Sequence, residues 1–191
     1  MSDSAPSDPS ARVAQVSTFA ALGTLSCTQN VTHEVLADIG DIEGIEPDLV
    51  AEETLCLLAT VTARALEVGL RAVPDVAEVV APVVQQLPFQ YRDYLIGHAM
   101  IQEENPELAQ TAEAVRERLT RKQRFYDTHF PEDQFPGPRA LKPKMELWMG
   151  RVSPPGLPNS PQERIKTLPV LDMVAAHTKL MLAYGRRGEV T

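Results

Sequence analysis

PDLVAEETLCLLATVTARALEVGLRAV, residues 47–73, reads as one helix in which Glu53, Thr60, Arg64, Glu67 and Arg71 form a narrow polar stripe and the remaining circumference is almost entirely apolar. Proline suits the first helical position, where its missing N–H costs no hydrogen bond, so Pro47 marks the start. A helix apolar over most of its surface is stable only when other elements enclose it. That requirement predicts an all-α protein, a single-domain bundle of five or six helices around residues 47–73.

Upstream, Asp8 and Pro9 have the pattern of a helix cap and first helical position, and residues 1–8 are small and polar enough for a frayed start. Val13, Val16, Ala20, Cys27, Val31 and Val35 then recur at steps of three, four or seven until Gly40 and Gly44 break the pattern. Residues 13–32 hold no charge, yet nine of these twenty are Ser, Thr, Gln or Asn, too polar for a bilayer span. The sequence TLSC around Cys27 suggests a lipoprotein cleavage site, but Asp3 and Asp8 stand where an export signal is basic. Cys27 and Cys56 lie among apolar neighbours without a CxxC, as small core residues of a reducing compartment do; the expected location is the cytoplasm, with no membrane contact. DIGDIEGIEPD, residues 38–48, concentrates acids in a turn. Fitting its glycine to an EF-hand loop puts Ile39 at the first ligand position, so calcium is not expected.

Downstream, Val76, Val79, Val80, Val83, Val84 and Leu87 keep helical spacing despite their β-branching, with Pro82 as a kink. Asn105 and Pro106 cap an amphipathic helix that turns Leu119, Tyr126 and Phe130 inward. Residues 131–161 contain eight prolines, which excludes one regular element, although LKPKMELWMG inside them suits a short helix. Ser160, Pro161 and Glu163 form a capping box, and Pro169 kinks the helix that follows. The expected organisation is therefore a frayed 1–8, a bundle core over 9–130, a proline-rich basic loop over 131–160 and a C-terminal helix over 161–187.

Tyr91, Tyr94 and His98 fall on one helical arc and are the candidate ligand-binding residues, with His98 as a base, haem or metal ligand. The preferred reading makes them interior groups bonded to one another or to backbone, because no acid is spaced to orient His98. A di-iron bundle needs Glu three residues before His; Leu95, Tyr126 and Val174 stand there before His98, His129 and His177. There is no nucleophile elbow, phosphate loop, dinucleotide fingerprint or zinc spacing. No cofactor or metal is expected, and the balance leans away from an enzyme.

Charge is the least ordinary feature. Residues 1–115 carry 18 acids against 4 bases, and residues 116–191 carry 14 bases against 8 acids, within a total of −8. With only 5 lysines against 26 acids, the chain would also suit high salt. The basic half places Arg118, Arg121, Lys122 and Arg124 on one helix, and Arg139, Lys142, Lys144 and Arg151 around the sole tryptophan, Trp148. These are the candidate partner-binding residues, since cations with an aromatic suit a contact surface. The leading expectation is a non-catalytic protein-interaction or assembly module, self-associating or meeting a protein partner through this region. The alternative is a small-molecule-binding protein or motif-poor enzyme at Tyr91, Tyr94 and His98; the third is nucleic-acid binding through residues 116–151. Docking of the basic segment onto the acidic half, in the same chain or a twin subunit, is the remaining possibility.

Overall fold

A computed structural model describes residues 9–70, 108–130, 141–153 and 161–187. These form six helices and no strand: α1 (Pro9–Ile39), α2 (Pro47–Leu70), α3 (Leu108–His129), α4 (Leu141–Val152), α5 (Pro161–Thr167) and α6 (Val170–Arg187). The fold is all-α. Prolines begin α1, α2 and α5 at the positions where their fixed φ is an advantage. Residues 161–187 are two helices rather than one kinked helix, because Leu168 and Pro169 leave helical geometry between α5 and α6.

Enclosure of α2 organises the rest. Sixteen of its 24 residues are buried, and α1, α3, α4 and α6 all pack against it. The larger core unites Leu55, Leu57, Leu58 and Val61 of α2 with Val35 of α1 and Trp148 of α4. A second cluster joins Leu66 and Leu70 to Val16, Met181 and Tyr184, where Phe19 stacks on Tyr184 with centroids 4.0 Å apart. Burial of each large side chain contributes about 1.5–3 kcal/mol.

The α1–α2 turn depends on Gly44, whose φ of 92° is left-handed. Ile42 and Ile45 fold back from that turn onto the core. At its far end α2 meets α6 backbone to backbone: a Cβ on Gly69 would lie 2.8 Å from the Leu182 carbonyl oxygen and 2.9 Å from Gly185 Cα. Nothing flexible there can yield.

Paired substitutions separate close packing from helix propensity. Gly69→Ala is expected to lower stability by about 1–3 kcal/mol through overpacking. Gly150→Ala, in α4 with no atom within 4 Å of the added methyl among the described residues, is expected to raise it by up to about 1 kcal/mol. Urea unfolding of both variants checks the pair, and a stabilised Gly69→Ala would contradict the contact.

Candidate functional site

Adjacent residues on a helix point about 100° apart, and both Glu52 and Glu53 are buried at the start of the enclosed stretch of α2, with Glu53 wholly so. A carboxylate taken from water needs opposite charge and hydrogen bonds close by. Three cations supply them. Arg118 on α3 grips Glu52 through Nε and Nη2 at 2.5–3.0 Å, and Lys122 donates to Glu52 at 2.8 Å. Arg151 on α4 grips Glu53 at 2.5 and 2.7 Å. The Tyr126 hydroxyl donates to Glu53 at 2.8 Å, and Lys122 spans the pair with Nζ 3.4 Å from Glu53. Burial alone would raise the Glu52 carboxyl, but the hydrogen bonds and charges of Arg118 and Lys122 outweigh it and hold the group below its ordinary value. Burial, reinforced by the Glu53 charge, pushes the Tyr126 phenol and the Cys56 thiol up, so neither ionises readily.

Two turns further, Thr60 donates to Asp127 at 3.3 Å and accepts from Gln123 at 2.6 Å. Arg64 donates from Nε to the Phe130 carbonyl at 2.8 Å and pairs with Glu67 at 3.0 Å. From Glu53 to Arg64 the polar stripe of α2 therefore faces α3 instead of solvent, and Arg71 lies outside the described residues. That stretch is the seam along which the two helices dock.

The expected partner-binding residues are distributed unevenly across this seam. Arg118, Lys122 and Arg151 are engaged with Glu52 and Glu53, and Arg151 also lies 4.3 Å above the Phe125 ring. Lys144 donates to the His129 carbonyl and sits 5.0 Å over the Phe130 ring. Trp148, expected on a contact surface, has no exposed surface; its indole N–H donates to Thr54 at 3.3 Å. Its apolar bulk belongs in the core, and proline-rich flanks do not alter that. Arg121 and Arg124 are exposed on α3. Lys142 lies on α4, but its side chain is outside the described residues, as are Arg139, Tyr91, Tyr94 and His98. On the other side, Arg164 of α5 reaches Asp38 at 3.0 Å and Asp41 at 3.9 Å. Acidic and basic parts of the sequence thus meet within one chain.

A second polar chain crosses the α1–α2–α6 contact. The hydroxyls of Thr24 and Thr62 lie 2.8 Å apart, and the Thr62 oxygen is 2.7 Å from His177 Nε2. All three residues are buried, so the arrangement is closed to a substrate. Burial lowers His177 to about 4. Among the described residues no group of three or more His, Cys, Asp or Glu is placed to hold a metal ion, and no helix is long and apolar enough to cross a membrane. Compared with family models, curated proteins and solved structures, the chain matches none.

Two measurements test these networks. Glu53→Ala leaves Arg151 and the buried Tyr126 hydroxyl without their acceptor, and is expected to cost about 3–5 kcal/mol in urea unfolding. The His177 pKa falls from 6.5 unfolded to about 4 folded, so between those values only the unfolded chain takes the proton. Stability is retained above the upper value and lost on acidification, by about 2 kcal/mol between about pH 7.5 and about pH 5. His177→Gln should remove that loss while leaving the Glu52 contribution, which falls away only below pH 4.5. An unchanged acid slope would rule His177 out as its source.

Proposed function

We propose that the chain is a non-catalytic assembly module of the cytoplasm that pairs with a second copy of itself through the outer face of α1 and the adjoining edge of α6. The observation that carries the reading is an outward helix face without charge. Gln15, Thr18, Leu22, Ser26, Gln29 and Asn30 are exposed along α1 over about 22 Å, and Leu22 near the middle is 62% exposed. A helix face meant only for water ordinarily carries Lys, Glu or Arg. Leu180 of α6, 48% exposed, is the other large apolar side chain left outside among the described residues. Leu22 and Leu180 immediately precede Gly23 and Met181, where the two helices touch.

Charge selects the partner. Two copies that each carry −8 repel across most faces, and like charges brought together are costly. A neutral face avoids that cost, and its amides and hydroxyls supply a polar rim around a central leucine, the usual anatomy of a contact patch. The basic region supports docking less strongly than its sequence suggests, because Arg118, Lys122, Lys144 and Arg151 are committed internally; the exposed Arg121 and Arg124 remain for a further partner. Two free cysteines, one buried and one half-buried, suit a reducing location.

Sedimentation velocity tests the reading. The wild-type chain is expected to dimerise, and Leu22→Lys to weaken the dimer at least roughly 30-fold, since a central contact is worth about 2 kcal/mol. Arg121→Glu should leave it unchanged. A wild-type chain that stays monomeric at submillimolar concentration would refute the proposal.

A further inference from the structure

Between α4, α5 and the start of α6 lies a partly open cavity of about 170 Å³ that the charge networks do not use. Met145, Trp148, Met149, Ile165, Leu168 and Leu171 line it. Glu146 and Lys166 stand at its margin, where both are exposed and Lys166 is paired with Glu163 at 2.6 Å.

We propose that this cavity binds a small uncharged aromatic molecule of single-ring size. Volume sets the size, since an apolar void of about 150 Å³ holds one benzene. The lining sets the chemistry. Its lining presents hydrocarbon and two thioethers, which attract ring edges, and the Trp148 indole among them favours an aromatic occupant over an aliphatic one. A charged ligand would lose its water with no buried partner to replace it. Close-packed interiors leave few voids larger than a water molecule, so an apolar space of this size recovers its missing contacts when filled. The site is independent of α1 and of self-association.

Trp148, the only tryptophan, reports occupancy directly. Iodobenzene, whose heavy atom quenches an indole it touches, is titrated into the full chain while tryptophan emission and thermal melting are followed. Saturable quenching with a rise in melting temperature is expected, because a ligand that binds only the folded state stabilises it. Leu171→Phe and Leu168→Phe, each filling the space from a different wall, should abolish both effects; circular dichroism identifies the variants that fold. Quenching that stays linear in iodobenzene without stabilisation of the wild-type chain overturns the proposal, whether or not the variants fold. Saturable quenching that survives in either folded variant overturns it too.

Discussion

A fully buried carboxylate on Glu53, in a helix enclosed on every side, constrains much of the molecule. Desolvating that charge costs several kcal/mol unless cations and donors reach it. Tyr126 and Lys122 must therefore arrive from α3 and Arg151 from α4. Those three atoms meet at one carboxylate only for one rotation and one register of α3 and α4 on α2. Leucine and valine contacts are tolerant of small slips, whereas a carboxylate that accepts from Tyr126 and Arg151 beside the Lys122 ammonium is not. Hydrophobic burial supplies the driving force; the Glu52 and Glu53 cluster selects which packing it drives.

The opposite end of α2 is fixed by a different device. Gly69 and Gly185 let α2 and α6 touch at backbone level, and at Gly23 a Cβ would come within 2.6 Å of the Met181 terminal methyl. Helices this close leave little room for long side chains, so the polar links between them are short: Thr24, Thr62 and His177. Long cationic arms join α2 to α3 and α4. Burial keeps His177 neutral near pH 7, while ion pairing keeps Glu52 charged.

Much of this architecture is visible in residues 47–73, because an almost wholly apolar helix admits only an enclosed position. Proline positions also report three helix starts, since the restriction they impose is local. The destination of the charges is less visible. Glu53, Thr60, Arg64 and Glu67 form a stripe at helical spacing, and spacing does not distinguish a stripe facing water from one facing a neighbouring helix. The available signal was the density of opposite charge at Arg118, Lys122 and Arg151 far along the chain. Trp148 likewise lies among cations and prolines in sequence, and only long-range packing decides that its ring turns to the core. The cavity beside it is a relation among α4, α5 and α6 that no single segment encodes.

Internal use of these charges also changes what the surface offers. A chain with 26 acids and 18 bases ordinarily presents mixed charge in every direction, but here Arg118, Lys122, Arg151 and Arg164 are drawn onto acids of α1 and α2. Pairing them inward reduces the positive potential available for steering toward phosphates or acidic partners. For the self-association proposed above, discrimination would then fall to surfaces where charge is missing. The outer face of α1 is such a surface, and a charged competitor placed against it would lose hydration without gaining an ion pair. In the proposed dimer, that neutrality would supply specificity as well as compatibility with a like-charged copy.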